Sequence, residues 1–221
     1  MKKGYTHLVN ILDCSGSVDH IIDDMRGAFN AYLKAQAALE SACTVTTVVF
    51  NTEVSFIDDF ADIKKAHPLT ELNYKANGYT ALNDAIGITL TSVGKKLAKL
   101  AEHERPDQVI VYINTDGFEN ASKSYDRQAA ANLIKHQEDV YKWKFIFAGA
   151  NLDAQAEAMS YSLSKGVQYV QTSAGINDLT NNITYSVLNA RGVDCSISAD
   201  LVRRFSAKPV EASFLEDYLS N

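Results

Sequence analysis

Residues 8–20 read LVNILDCSGSVDH, and this stretch decides the fold. Its first five residues are a mostly apolar run typical of a buried β-strand, and the run stops at Asp13. Ser15 and Ser17 follow directly, before a helix-like pattern begins. The sequence therefore places one carboxylate and two hydroxyls on the few residues that leave a buried strand.

Strand and helix patterns alternate along the rest of the chain. Apolar or β-branched runs predict strands at residues 6–12, 44–51, 53–58, 108–115, 142–150 and 166–172. Apolar spacings of three and four predict helices at residues 18–40, 81–103, 124–139, 152–164 and 176–190. Strands joined through helices indicate a mostly parallel sheet with helices on both faces, and the short second-to-third connection predicts a hairpin with an antiparallel edge strand. We predict a doubly wound, three-layer, Rossmann-like α/β domain.

The length and composition are those of a globular protein with one main domain. The chain has 221 residues, of which 46% are hydrophobic and 22% charged. Its formal net charge of -6 argues against nucleic acid as a partner. We expect a domain at residues 1–192 and a C-terminal extension at 193–221 that packs on it or docks to a partner. Residues 211–219 of this extension have helical spacing.

The sequence lacks the signals of a secreted or membrane protein. No apolar run approaches the roughly 20 residues that span a bilayer, and the apolar run near the start is too short for a signal peptide. The three cysteines, Cys14, Cys43 and Cys195, are widely spaced and odd in number, which argues against a disulfide framework or a zinc site. We expect a cytoplasmic protein with reduced thiols and no membrane partner, and its oligomeric state is not indicated.

Polar residues collect where the predicted strands end. Asp116 follows the strand at 108–115, and Thr80 lies where a loop turns into a helix. If the first and fourth strands are neighbours, both carboxylates face one crevice at the carboxyl ends of the strands, and the hydroxyls can converge on it from the loops. The candidate oxygen donors are Asp13, Ser15, Ser17, Thr80 and Asp116.

This set of donors predicts a hard divalent cation. Two carboxylates brought together without compensation repel each other, and a cation supplies the missing charge. Oxygen ligands without sulfur or imidazole favour Mg²⁺ or Mn²⁺ over zinc or copper. Because hydroxyl ligands are neutral, the ion stays incompletely neutralised and should attract one more anionic ligand.

The same residues resemble the metal-ion-dependent adhesion site (MIDAS) of von Willebrand factor A (vWA) domains. The family pattern is D-x-S-x-S, then T, then D, and this chain has DCSGS at 13–17, NGYTAL at 77–82 and TDG at 115–117. The resemblance spans roughly residues 5–190. It implies that Ser15, Ser17 and Thr80 ligate the ion directly, and that Asp13 and Asp116 do so directly or through water.

The resemblance also implies a function. In this family a partner protein contributes a Glu or Asp carboxylate to the open coordination position. The segments TDGFENASKSY and WKFIFAGANLDA are similar to cytoplasmic bacterial and phage-type members. We therefore expect a protein-binding module and not an enzyme. Tyr79 and Phe118 flank the ligands and would contact a partner, unless they merely pack.

Each motif also has a plainer interpretation. Asp13 and Ser15 could cap the helix that follows them, and Thr80 could cap the next one. Asp116 with Gly117 could form an ordinary turn. Only the coincidence of these residues at one sheet edge favours a metal site.

Two other functions remain as alternatives. A metal-dependent phosphatase of the haloacid dehalogenase type shares the layered fold but needs D-x-D, whose second carboxylate is the general acid, and Ser15 stands at that position. Nucleotide-binding motifs of the G-x-G-x-x-G and G-K-[ST] types do not occur at the strand ends. The other alternative is a scaffold whose metal site is inactive.

Overall fold

The computed structural model describes residues 1–150 and 153–207, which form six strands and six α-helices. The strands are β1 (Lys2–Asp13), β2 (Cys43–Phe50), β3 (Val54–Asp62), β4 (Pro106–Thr115), β5 (Lys144–Ala150) and β6 (Gly166–Tyr169). The helices are α1 (Ile22–Ala37), α2 (Leu82–Lys99), α3 (Arg127–Tyr141), α4 (Ala154–Ser160), α5 (Ser173–Ala190) and α6 (Cys195–Phe205). No helix in this part of the chain is both long and apolar enough to cross a membrane.

The strands form one sheet in the order β3-β2-β1-β4-β5-β6. All neighbours are parallel except β3, which pairs antiparallel with β2 at the edge of the sheet. The predicted hairpin is therefore confirmed, and the first and fourth strands are neighbours, which is the condition for the predicted site. The chain order reverses between β1 and β4. The carboxyl ends of these two strands are therefore the topological switch point, where a doubly wound sheet leaves a crevice.

Helices cover both faces of the sheet, as the sequence predicts. Side chains of a strand alternate between faces, so Leu8 and Leu12 of β1 join one core with α1 and α5. Val9 and Ile11 join the other core, with α2, α3 and α4. The central strands are thus buried on both sides, which explains their nearly continuous apolar sequences.

The segment after β4 is fastened to α2 by close packing and by hydrogen bonds. Gly87 of α2 lies against the ring of Tyr125, and a Cβ added at Gly87 would be only 2.3 Å from Tyr125 Cγ. The amides of Lys123 and Tyr125 donate to the two carboxylate oxygens of Asp84, at 2.8 and 2.7 Å. This anchoring fixes the path of the chain that leaves Asp116.

Several predicted boundaries are wrong by a few residues. The helix predicted at 18–40 begins as a 3₁₀ helix at Gly16–Ile21, before α1. The helix predicted at 81–103 ends at Lys99, and Pro106 opens β4, a position at which its missing N–H is tolerated. The strand predicted from residue 142 begins at Lys144, because Lys142 adopts a left-handed conformation that ends α3.

Helix α6 is an element that the sequence analysis does not assign. Its buried Ala199 and Val202 pack with Tyr185 and Leu188 of α5, and α6 also contacts α1. The division into residues 1–192 and 193–221 stays a prediction. The helical pattern at 211–219 lies outside the described residues.

Candidate metal centre

The predicted ligands lie around the carboxyl ends of β1 and β4. Asp13 is the last residue of β1 and is fully buried. Asp116 immediately follows β4 and is 3% exposed. Ser15 and Ser17 begin the connection to α1, whereas Thr80 precedes α2. The switch point therefore brings three separate stretches of the chain to one place.

The side chains of three of the five predicted residues contact one another directly. The Ser17 hydroxyl donates a hydrogen bond to Oδ1 of Asp116 at 2.8 Å, and the Ser15 hydroxyl donates to the same oxygen at 3.4 Å. The two serine hydroxyls are 3.0 Å apart. Two hydroxyl oxygens and one carboxylate oxygen are thus within hydrogen-bonding distance of one another.

Asp13 joins this group through two neighbours. Its Oδ1 accepts the Ser15 amide at 2.8 Å, and its Oδ2 accepts the Thr115 hydroxyl at 2.7 Å. Burial raises the pKa of the Asp13 carboxyl to about 6, although these hydrogen bonds oppose the rise, and the nearby charge of Asp116 adds to it. A buried carboxylate beside a second one is an environment that a cation stabilises.

Thr80 is held at the site through its backbone. Its amide donates to Oδ1 of Asn120 at 2.9 Å, and the Asn120 amide donates back to the Thr80 carbonyl at 3.0 Å. A Cβ added at Gly117 would lie 3.6 Å from the Thr80 hydroxyl oxygen, so this hydroxyl lies beside the turn that carries Asp116. It makes no hydrogen bond to any residue in 1–150 or 153–207, which leaves its oxygen available to a ligand.

The structure does not use Ser15 or Thr80 as helix caps. Ser15 is at the N-cap position of the 3₁₀ helix, but its side chain makes no capping hydrogen bond. The first free amides of α2 donate to the side chains of Glu119 and Ser122, so the start of that helix is capped without Thr80. The Asp13 carboxylate accepts a local hydrogen bond from the Ser15 amide, which precedes the first residue of the helix.

Sequence reasoning missed three residues that hold the two aspartates in place. Thr115 donates to Asp13, as described above. The Tyr74 hydroxyl donates to the Asp13 carbonyl at 2.5 Å, and Gln171 Nε2 donates to Oδ2 of Asp116 at 2.8 Å. Gln171 follows β6 at the same sheet edge, so its position was a usable signal. Nothing in the sequence pattern marks Tyr74.

Backbone hydrogen bonds join the loops that carry the predicted ligands. The Gly16 amide donates to the Gly78 carbonyl at 3.1 Å, and the Asn77 amide donates to the Cys14 carbonyl at 2.9 Å. Gly78 has a φ of +70°, and a Cβ there would be 2.6 Å from the Thr52 hydroxyl oxygen. Only glycine fits such a position without strain. The positions of the hydroxyls are thus largely fixed before any ion binds.

Cys14 lies inside the motif but does not have the character of a nucleophile. It is buried and free of any disulfide. Burial raises the pKa of its thiol to about 12, and the nearby Asp13 charge adds to the rise. Because the thiolate is the reactive form, this cysteine serves as a small buried residue.

The chemistry of the donors fits a hard cation and not a soft one. Within residues 1–150 and 153–207 there is no group of three or more His, Cys, Asp or Glu side chains that could hold a metal. An ion at this edge would therefore need hydroxyl as well as carboxylate oxygens. Two nearly inaccessible carboxylates with hydroxyls beside them form an all-oxygen set, which suits Mg²⁺ or Mn²⁺.

Solved structures with a similar fold include vWA domains. The PilB minor pilin from Streptococcus sanguinis matches with a TM-score of 0.62 at 12% identity, over 84% of this chain and 62% of that one. The vWF domain of the type V pili tip protein Mfa5 from Porphyromonas gingivalis matches at 0.58 and 9%, over 83% and 96%. Proximal thread matrix protein 1 from the mussel byssus, with a zinc-occupied MIDAS motif, matches at 0.56 and 14%, over 82% and 45%.

These likenesses establish the fold alone. The chain has the Rossmann-like α/β fold of vWA domains, and it spans less than two thirds of the length of the pilin. No protein-family model matches the sequence, and no curated protein matches it significantly. The function therefore has to be argued from the site.

Proposed function

We propose that this chain is a vWA-type protein-binding module that works through a MIDAS. Asp13, Ser15, Ser17, Thr80 and Asp116 would hold Mg²⁺ or Mn²⁺, and an acidic residue of a partner protein would complete the coordination. The zinc-occupied MIDAS of the mussel protein supports the proposal, because it belongs to a protein of similar fold.

One observation carries the proposal. The hydroxyls of Ser15 and Ser17 lie against Oδ1 of Asp116 at the switch point, although neither hydroxyl caps a helix. Hydroxyl oxygens and a carboxylate oxygen drawn from stretches about 100 residues apart in sequence form the start of a coordination shell.

The residues around the ligands would act by holding them in place. Thr115 and the Ser15 amide orient the Asp13 carboxylate, and Gln171 orients that of Asp116. Such partners of metal ligands usually matter for affinity, because they fix the ligand before the ion arrives. A bound divalent cation supplies the positive charge that attracts a carboxylate. Because the hydroxyl ligands are neutral, they would leave the positive charge of the ion only partly neutralised.

A binding role is favoured over catalysis. A phosphatase of the haloacid dehalogenase type needs a second aspartate two residues after the first, and here the Ser15 hydroxyl occupies that place next to Asp116. A hydroxyl does not donate a proton readily at neutral pH. We therefore propose that the module turns over no phosphate ester.

A titration with Mn²⁺ tests this function. Isothermal titration calorimetry and electron paramagnetic resonance should show one site in the wild type. Asp13→Asn, which keeps the shape and removes the charge, should lose it. Asp139→Asn is the matched control, because Asp139 is an exposed aspartate at the end of α3. Equal Mn²⁺ binding by wild type and Asp13→Asn would refute the proposal, and hydrolysis of p-nitrophenyl phosphate would favour the phosphatase.

The location and origin of the protein stay predictions. The sequence indicates a cytoplasmic protein of bacterial or phage type, without nucleic acid or membrane as partner. The neighbours of similar fold include pilus proteins. The fold therefore does not decide whether the protein is cytoplasmic or extracellular.

A further inference from the structure

Exposed apolar side chains lie beside the candidate metal centre. Tyr79, Phe118 and Val170 have 68%, 60% and 69% of their surface exposed. Tyr79 precedes Thr80, Phe118 is two residues after Asp116, and Val170 precedes Gln171, which bonds Asp116. Single exposed apolar residues are ordinary, but three at the same site are a feature of binding surfaces. We call these three residues the apolar rim.

Hydrogen bonds hold the backbone segments that carry Tyr79 and Phe118. The Tyr79 amide donates to the Thr52 hydroxyl at 2.9 Å, in the connection after β2. The two hydrogen bonds between Thr80 and Asn120 hold the Tyr79 and Phe118 segments together. The exposed rings are therefore carried on backbone that is already ordered, which lowers the entropic cost of using them for binding.

The rim lies on both sides of the candidate metal centre. Tyr79 is bonded to the segment after β2, whereas Val170 follows β6. Strand β2 is next to β1, and β6 lies beyond β5 on the other side of β4. Strands β1 and β4 end at the two predicted carboxylate ligands. A partner whose acidic side chain reaches the centre would therefore meet apolar surface in both directions along the sheet edge.

We propose that the partner offers an extended segment in which bulky apolar residues stand two positions before and two positions after the acidic residue. This inference rests on the proposed function and specifies its partner. Side chains of an extended segment point alternately to opposite faces, so the residues two positions from the acidic residue face the same surface and lie about 6.6 Å from it along the segment. Aromatic side chains contribute large apolar contact area, and such residues dominate the affinity of many interfaces. Polar residues at these two positions would leave the rim uncovered.

A displayed peptide library tests the inference. Its members carry a fixed central glutamate with randomised neighbours, and they are selected on the full chain in Mg²⁺. We expect apolar residues to be enriched two positions before and two positions after the glutamate. The selected peptides should bind the Tyr79→Ser/Phe118→Ser variant at least about ten-fold more weakly, as for central interface residues. Tyr141→Ser is the matched control, since Tyr141 is 58% exposed at the end of α3.

The outcomes separate the inference from the function on which it rests. Peptides that need Mg²⁺ and Asp13, yet show no apolar preference or bind the rim variant as tightly as the wild type, would overturn the inference alone. The absence of any enriched peptide would also overturn it. Peptides that bind equally well in EDTA or to Asp13→Asn would overturn the proposed function.

Discussion

Two threonines at the site offer the same chemical change with opposite expected results. Thr80→Val and Thr115→Val each replace one hydroxyl by a methyl group in a buried side chain. The Thr80 hydroxyl makes no hydrogen bond to the described part of the chain. The Thr115 hydroxyl donates to the buried Asp13 carboxylate at 2.7 Å. Comparing the two variants therefore distinguishes a hydroxyl that is available to bind the ion from one whose hydrogen bond stabilises the fold.

The expected magnitudes follow from these contacts. In EDTA, Thr80→Val should change the free energy of unfolding by no more than about 0.5 kcal/mol, since no internal bond is lost. Thr115→Val should lower it by about 1.5 to 3 kcal/mol, which is typical of a lost hydrogen bond to a charged group. At an Mg²⁺ concentration of 100 times the dissociation constant, the wild type should gain about 2.7 kcal/mol. If Thr80→Val binds about ten-fold more weakly, its gain falls to about 1.4 kcal/mol.

Urea unfolding with and without Mg²⁺ measures all of these values. We expect Thr80→Val to have the same free energy of unfolding as the wild type in EDTA and a lower one in Mg²⁺. A Thr80→Val protein with the full Mg²⁺ stabilisation would refute the role of Thr80 as a ligand. A loss above about 1 kcal/mol in EDTA would show that its hydroxyl supports the fold instead.

Two further predictions concern the fold. Burial lowers the pKa of His7 to about 3, and nearby Lys96 adds to the effect, so below its unfolded pKa of about 6.5 only the unfolded chain takes up this proton. The free energy of unfolding should therefore fall by about 1.4 kcal/mol per pH unit as the pH drops from about 6.5 towards 3. In urea unfolding between about pH 7.5 and 4.5, His7→Gln should lack this part of the decrease. An equal decrease in both proteins would contradict the role of His7. Gly87→Ala should lower the free energy of unfolding by about 1 to 3 kcal/mol through the clash with Tyr125. Gly87→Ala/Tyr125→Ala should recover part of the loss, and a double variant no more stable than the sum of the single changes predicts would refute that explanation.

The sheet edge was predictable because it depends on local patterns and general topology. The apolar run that ends at Asp13 and the run that ends before Asp116 each identify a buried parallel strand. Parallel neighbours end at the same edge, so the two carboxylates lie close together once these two strands are neighbours. The antiparallel β3 follows from its short connection to β2, whereas the sequence patterns do not specify the order of the six strands.

The remaining details depend on contacts that are distant in sequence. Thr80 is placed by Asn120, which is 40 residues away, and Tyr74 reaches Asp13 across 61 residues. No periodic pattern records such loop contacts. The limits of α4 and β6 are also poorly specified, since both elements are short and carry few periodic positions.

A crystal structure of the protein grown with Mn²⁺ would show directly whether the five predicted ligands hold a metal ion. Anomalous scattering would locate the ion independently of any assumption about its ligands. The account predicts one peak at the carboxyl ends of β1 and β4, with oxygens of Ser15, Ser17 and Thr80 in direct contact and the Asp13 and Asp116 carboxylates beside it. An empty edge at saturating Mn²⁺, or a peak held by other residues, would contradict it.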